Sequence, residues 1–337
     1  MILVTGGTGL VGSHLLFKLT ESHTAVRAIY RREKTLERVK HVFSYFSDDA
    51  DTLFNKIEWV EADITNIPQL QHAFKDITSV YHCAAFVSFE PDKYKLLRKI
   101  NIEGTANIVN LCLSHNVKKL CYVSSISALG HYANPEKLIT EKTDWNPEDD
   151  NSVYAITKYG AELEVWRGTQ EGLDAVIVNP GIILGAGYWH GASSGHFFKR
   201  IYKGTKYYTK GMTGYVDIWD VVQTMLQLMA SPIKNESFIL VSENLSFETF
   251  FTETAKSLNV KPPKKEAKPW LLGMAWRLDW LSHLILGKRR SLSKQTATSA
   301  ISVTVYDASK IKDALNFQFK PIKTSINEVS QLFLKDL

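Results

Sequence analysis

The sequence predicts an α/β fold, a doubly wound parallel sheet followed by a smaller C-terminal lobe. Three observations predict it. Short β-branched apolar runs alternate with helical patterns through the first half of the chain, as βαβ units feeding a sheet covered on both faces require. A string of glycines separates the first apolar run from the first helical pattern. After about residue 180 the alternation fails, and glycine, aromatic and serine residues crowd the stretch Gly181 to Gly214.

The expected strands are Ile2–Thr5, Ala25–Tyr30, Ile57–Glu61, Ser79–Cys83, Lys119–Ser124 and Ala175–Asn179. Helical patterns fall between them at Gly9–Ser22, Ile67–Phe74, Tyr94–His115 and Ser152–Glu171. The Lys-Pro-Pro-Lys-Lys run at 261–265 reads as a loop, and Tyr306–Leu337 as helices on the surface. Two units are expected: 1–180 with parts of 215–245 as the nucleotide-binding, Rossmann-type domain, and 181–214 with 246–337 as a substrate-binding or lid region. In an open α/β sheet of this kind a ligand lies beyond the carboxyl ends of the strands.

Composition narrows the classes. With 337 residues, 45% hydrophobic and 22% charged, the chain can bury a sizeable core. The 40 basic against 35 acidic residues leave +5, and no nucleic-acid reading element accompanies that charge. Cys83, Cys112 and Cys121 have no metal or redox spacing, which predicts buried thiols in a reducing compartment and no metal site. Met1-Ile2-Leu3-Val4 runs straight into the glycines without a signal-peptide pattern, so the expected address is cytoplasmic. The apolar stretch Trp270–Leu286 is interrupted by Arg277, Asp279 and His283 and is not expected to span a membrane. It reads as a lid or core helix; peripheral membrane contact aided by Lys288, Arg289 and Arg290 is the sharper alternative.

Thr5-Gly6-Gly7-Thr8-Gly9-Leu10-Val11-Gly12 sets glycines at G-x-x-G-x-x-G spacing between a strand and a helix. Such a loop gives a tight turn, lets backbone approach a pyrophosphate, and presents a helix N-terminus with its free N–H groups and positive dipole end. It predicts a dinucleotide site formed by Gly6, Thr8, Gly9, Leu10, Val11 and Gly12. The second strand ends Ala28-Ile29-Tyr30-Arg31-Arg32, with two guanidiniums where an acid would hold ribose hydroxyls. Arg31 and Arg32 therefore favour NADP(H) over NAD(H). Asp63 and Ile64 after the third strand suit an adenine, although Asp63 is equally a helix N-cap. The small residues Cys83, Ala84 and Ala85 after the fourth strand let a ribose approach the backbone.

Tyr154 and Lys158 are four residues apart and share a helix face, so the ammonium is expected to lower the phenol's pKa and make it a usable proton donor or acceptor. About thirty residues earlier a strand ends in Ser124-Ser125-Ile126-Ser127, where a serine hydroxyl can polarise a substrate oxygen. Ser125 is the first choice and Ser124 the second.

In these residues the chain resembles the extended short-chain dehydrogenase/reductase superfamily, also described as the NAD-dependent epimerase/dehydratase family. Asn101-Ile102-Glu103-Gly104-Thr105, Asn179-Pro180-Gly181 and Tyr215-Val216-Asp217-Ile218-Trp219-Asp220 extend the likeness over most of the chain. The resemblance implies that Tyr154 is the general acid/base, Lys158 holds the nicotinamide ribose, Ser125 positions the reacting oxygen and Asn101 braces the active-site helix and relays protons. It also implies that Pro180 and Ile182 line the nicotinamide, and that a homodimer is open. Asn179 departs from the arginine many relatives carry there.

Two reactions fit that machinery, carbonyl–alcohol interconversion on a small apolar molecule and epimerisation of a nucleotide sugar. The second calls for an arginine before Tyr215, where Gly211-Met212-Thr213-Gly214 stands, and no acidic pair of the dehydratase kind follows Ser125. The closest pattern is that of dihydroflavonol-reductase-like and 3-beta-hydroxysteroid-dehydrogenase-like enzymes. The aromatic stretch Tyr188-Trp189-His190 to His196-Phe197-Phe198 is expected to line the pocket. A non-catalytic, NADP-binding regulatory protein is the reading from another class.

Overall fold

The computed structural model describes residues 1–132, 138–190, 193–286 and 293–337. Its first part runs β1 (Ile2–Thr5), α1 (Leu10–Glu21), β2 (Val26–Tyr30), α2 (Leu36–Ser44), α3 (Ala50–Asn55), β3 (Glu58–Glu61), α4 (Ile67–Ala73) and β4 (Ser79–His82). It continues through α5 (Tyr94–Leu97), α6 (Gly104–Ser114), β5 (Lys119–Val123), α7 (Val153–Gln170) and β6 (Ala175–Pro180). The remainder comprises β7 (Ile182–Leu184), α8 (Gly195–Tyr202), β8 (Tyr207–Tyr208), β9 (Met212–Asp217), α9 (Ile218–Ala230), β10 (Glu236–Leu240) and β11 (Glu243–Ser246). The last elements are α10 (Phe247–Ser257), β12 (Lys265–Glu266), α11 (Pro269–Leu286), α12 (Lys294–Ser299), α13 (Ser309–Leu315) and α14 (Ile322–Lys335).

Seven strands form one parallel sheet in the order β10-β6-β5-β4-β1-β2-β3. Strand order reverses between β1 and β4, so a crevice opens there at the carboxyl edge. Because side chains alternate along a strand, neighbours serve opposite cores. Val4, Ala28, Tyr81, Cys121 and Val176 pack beneath α1, α2 and α9. Leu3, Ile29, Val80, Leu120 and Ile177 face α4, α6 and α7. Both faces are covered, as near-continuous apolar strands demand.

The six predicted strands stand within a residue of the expected ends. Sequence reasoning passed over α2 and α3, although Val39, Val42 and Phe43 already carry a helical spacing and are buried. The pattern at 94–115 is helical but not uniform: Arg98–Glu103 forms a π-helical turn between α5 and α6. The 261–265 run is a loop up to Lys265, which pairs with Tyr207 in a short parallel ladder. A three-stranded sheet, β11-β9-β7, and a third core of Tyr215, Phe198, Phe250 and Trp189 form the smaller lobe.

Two expectations are corrected. The C-terminal helices are not merely on the surface, because α14 inserts Ile322, Ile326, Val329 and Phe333 into the third core. Nor is α11 a core helix: Trp270, Leu278, Leu284 and Ile285 are each more than 60% exposed. Lys288, Arg289 and Arg290 lie outside the described residues. No helix among the described residues is long and apolar enough to cross a membrane, and they contain no cluster of potential metal ligands.

Candidate active site

The glycine loop closes on itself where β1 turns into α1. Gly6 has φ +68°, a left-handed conformation, and a Cβ there would stand 2.6 Å from the Ala84 amide nitrogen. A Cβ on Gly12 would meet the Gly6 carbonyl oxygen at 2.2 Å, so the first turn of α1 can pass over the loop only without a side chain. Gly9 is different. Its Cβ would touch only that same carbonyl, at 3.3 Å, and Gly9 starts α1 with no side-chain cap. An uncapped helix start behind a loop without side chains is what a phosphate group requires, so the loop fits a dinucleotide. Leu10 and Val11 are half-buried against the core, and the Thr8 carbonyl accepts a hydrogen bond from the Tyr188 hydroxyl at 2.9 Å.

At the end of β2, Arg31 and Arg32 are both exposed. Arg31 reaches Asp63 across the strand ends at 3.7 Å, so these two candidates form one site. Asp63 Oδ1 also accepts from the Thr65 amide and hydroxyl, both at 2.8 Å. Burial pushes the Asp63 carboxyl up, but these two donors and the Arg31 charge outweigh it and hold the group below its ordinary value. The turn thus belongs to Asp63, while Asn66 caps α4. Ile64 sits behind it, 5% exposed and packed against Gly104.

A chain of neutral hydrogen bonds fastens the end of β4. Thr5 Oγ1 lies 2.6 Å from His82 Nδ1, His82 Nε2 lies 3.0 Å from Thr105 Oγ1, and the Ala84 amide donates to Thr5 Oγ1 at 3.3 Å. Burial, reinforced by the Lys158 charge, lowers His82 to about 3, so it bridges as a neutral imidazole. This fixes Cys83 and Ala84, both half-buried, against the glycine loop, with Ala85 exposed beyond them. Burial pushes the Cys83 thiol up to about 12, and Lys158 moderates it.

Across the switch point, β5 and α7 assemble the polar cluster. Ser124 donates to Glu162 Oε2 at 2.6 Å, and Asn179 Nδ2 reaches the same oxygen at 2.9 Å and the Ser125 carbonyl at 3.2 Å. Ser124 is therefore engaged by Glu162. Ser125 accepts from the Ser127 amide at 3.1 Å and lies beside the Tyr154 phenol. Lys158 is 1% exposed and donates to the Tyr122 hydroxyl at 2.7 Å and the Val123 carbonyl at 2.9 Å.

The electrostatics correct one expectation. Lys158 does not bring the Tyr154 phenol below its ordinary value: burial raises it to about 12, and the opposing pull comes from Ser125. Desolvation of a phenolate costs more than the surroundings return. The same burial brings Lys158 down to about 7, opposed by Glu162 and Cys83. Glu162 is shifted up by burial against Ser124, Asn179 and Lys158. Sequence reasoning missed Glu162, although its spacing at i+4 from Lys158 and i+8 from Tyr154 places it on the same face.

Asn101 stands in the π-helical turn, a local insertion that recurs at functional sites. It is not a cap. Its amide accepts from the Phe86 amide at 2.8 Å and donates to the Phe86 carbonyl at 3.0 Å and to Thr157 Oγ1 at 3.2 Å, tying α7 to the loop after β4. That loop brings Phe89 edge-on to the Tyr154 ring at 5.4 Å. Pro180 is buried at the end of β6, and Ile182 is half-buried at the start of β7.

The aromatic stretch at 188–198 is not a pocket wall as a unit. Tyr188 covers the glycine loop, whereas Trp189 and Phe198 are core residues of the smaller lobe. The Tyr215–Asp220 motif is also architectural: Asp217 caps α9 through the Trp219 amide at 2.8 Å, and Asp220 accepts from the Lys320 amide at 2.9 Å.

Known proteins are similar to this chain in sequence and fold. A candidate dihydroflavonol 4-reductase from Synechocystis sp. is 25% identical over 338 residues, covering 98% of this chain and 93% of that protein. Cinnamoyl-CoA reductase 1 of Petunia hybrida is 25% identical over 242 residues, 69% of each. The crystal structure of gox2253 superposes with a TM-score of 0.82 over 100% of this chain and 98% of the other, at 24% identity, a likeness of fold. The profile of the NAD dependent epimerase/dehydratase family matches residues 2–240, and the chain belongs to that family.

Proposed function

We propose that the protein is an NADP(H)-dependent oxidoreductase interconverting a carbonyl and an alcohol on a small, largely apolar substrate. One observation carries the reading: Tyr154, Ser125 and Lys158 lie together at the carboxyl edge of the sheet, and the glycine loop opens α1 with no side-chain cap.

Tyr154 protonates the carbonyl oxygen in the reducing direction and takes the proton back in the other. A phenol held near 12 is fully protonated at neutral pH, which suits the donor role. Ser125 hydrogen-bonds the same oxygen. Lys158 spends two N–H groups on Tyr122 and Val123 and has a third for a ribose hydroxyl. Gly6, Thr8, Gly9 and Gly12 with the first turn of α1 would hold the pyrophosphate, and a bound nicotinamide would supply or accept the hydride. Asn101 acts by positioning α7.

Arg31 and Arg32 support NADP(H), since a 2′-phosphate would meet two exposed guanidiniums and compete with Asp63 for Arg31. Epimerisation of a nucleotide sugar is disfavoured because Met212–Asp217 offers no cation for a substrate pyrophosphate. Likeness to a candidate dihydroflavonol 4-reductase and to cinnamoyl-CoA reductase 1 supports a reductase.

The test is paired titration with NADPH and NADH, followed by a panel of apolar carbonyl compounds. NADPH is expected to bind at least about tenfold tighter, roughly 1.4 kcal/mol, and Arg31→Ala to erase most of that gap. Equal affinities would remove the phosphate-binding role. Tight NADPH binding with no turnover on any carbonyl would instead favour a regulatory protein.

A further inference from the structure

Helix α11 carries apolar side chains on its outer face as well as on its inner one. At 3.6 residues per turn, Trp270, Met274, Leu278, Leu281, Leu284 and Ile285 fall within an arc of about 120°. All six are exposed, with Trp270 at 62%, Leu278 at 63%, Leu284 at 65% and Ile285 at 68%. Leu272, Ala275 and Trp276, with Asp279 among them, lie on the other side of the helix and are half-buried. A helix of a water-soluble body turns its apolar stripe inward and its charges outward. Here the inner side is apolar and the outer side is apolar too, so the stripe that faces water has not been replaced by charges. The single charge on the apolar arc, Arg277, lies over the Trp276 ring at 4.6 Å and donates to the Gly273 carbonyl at 2.8 Å, so its stem follows the helix surface.

The rim of this face is basic. Lys261, Lys264, Lys265 and Lys268 are exposed in the segment leading into α11. The β8/β12 ladder joins Lys265 to Lys206 through a backbone bond of 3.1 Å. Lys206 in turn lines a cavity of about 350 Å³ with His196, Lys199, Arg200 and Lys203. That cavity carries no carboxylate among the described residues and shares no lining residue with the Tyr154 cluster. Glu266, the acid on the ladder, is paired with Lys210 at 3.2 Å.

We infer that this face is a membrane-docking surface: α11 lies in the plane of an anionic phospholipid surface with its apolar arc among the acyl chains, while the adjoining lysines and the cationic cavity meet the lipid phosphates. An in-plane helix combines one apolar face with a basic flank, and lysines near an anionic leaflet add electrostatic attraction. Geometry sets the orientation. Eighteen residues make a helix of about 27 Å, and no helix among the described residues is apolar enough to cross a bilayer. Charge decides against a second copy of the chain as the occupant, because pairing this face with itself brings the basic rims together.

The test is co-sedimentation of the full chain with vesicles of phosphatidylcholine alone and of phosphatidylcholine and phosphatidylglycerol in equal parts. Binding to the anionic vesicles is expected to be at least about tenfold stronger and to weaken with salt. Leu278→Glu with Ile285→Glu should abolish it, and Lys264→Glu with Lys268→Glu should reduce it. Both double variants should keep the wild-type melting curve and NADPH affinity, since neither touches a buried group. A wild-type chain that stays in the supernatant with both vesicles, or binds both equally, overturns the proposal. So does a dimer by light scattering that Leu278→Glu with Ile285→Glu dissociates, because a second copy would then cover the face.

Discussion

Helices α7 and α11 are each 18 residues long, and both break the rule that charges face water and apolar side chains face the core. They break it in opposite directions. On α7 the ionisable side chains of Tyr154, Lys158 and Glu162 point inward, and Lys158 and Glu162 find partners at the ends of β5 and β6. On α11 apolar side chains point outward and meet nothing in the described chain that covers them. An inverted helix whose exceptions are satisfied internally marks a site for chemistry, where low dielectric strengthens every interaction. One whose exceptions are unsatisfied marks a surface whose complement lies outside the molecule.

The sharpest way to break the comparison is at Tyr154. Tyr154→Phe is expected to lower kcat by about 10²- to 10⁴-fold while NADPH affinity stays near wild type, because the ring still packs against Phe89. Unchanged turnover would reduce α7 to a structural helix. Next is Glu162→Ala, which strands Lys158, Ser124 and Asn179 without their shared carboxylate and should cost about 3 kcal/mol in urea unfolding. A loss under about 1 kcal/mol would mean that the cluster is not a coupled unit.

Lys158 gives a smaller effect with a definite sign. Its folded value, about 7, lies below its ordinary 10.5, so the unfolded chain binds more protons between the two. The contribution to stability is fully present above that window and is lost as pH falls through it. Stability of the ligand-free protein should therefore rise with pH across the window more steeply in the wild type than in Lys158→Met; parallel curves would contradict a buried, depressed lysine. The smallest effect belongs to α11. Leu284→Gln should shift stability by less than about 0.5 kcal/mol, and a loss of 2 kcal/mol or more would show that the helix is packed after all.

The parallel sheet was legible because β1 to β6 are short β-branched runs separated by helical periods, and each strand's identity needs only local information. The glycine loop was legible for the same reason, since its spacing is a backbone requirement at Gly6 and Gly12. What was not legible depends on distant contacts. The choice between Ser124 and Ser125 turns on Glu162, 38 residues from Ser124, and the Arg31–Asp63 pair turns on strand order. The sign of the Tyr154 shift was misjudged because sequence spacing reveals the neighbouring charge but not the depth of burial. The aromatic run at 188–198 misled because core and pocket use the same side chains.

Asp336 accepts hydrogen bonds from the Trp189 indole at 2.6 Å, from His41 at 3.0 Å and from the Tyr45 hydroxyl. Tyr45 is 291 residues upstream, and Trp189 adjoins the tyrosine resting on the glycine loop. A chain synthesised from its N-terminus can build most of the parallel sheet early, yet this clasp closes only when the final turn of α14 has emerged. Loop closure over such a separation is slow as well as late. The smaller lobe beside the glycine loop thus acquires its finished shape only after Asp336 has been made, and a chain stalled or clipped before that residue would carry a folded sheet with an unlatched mouth.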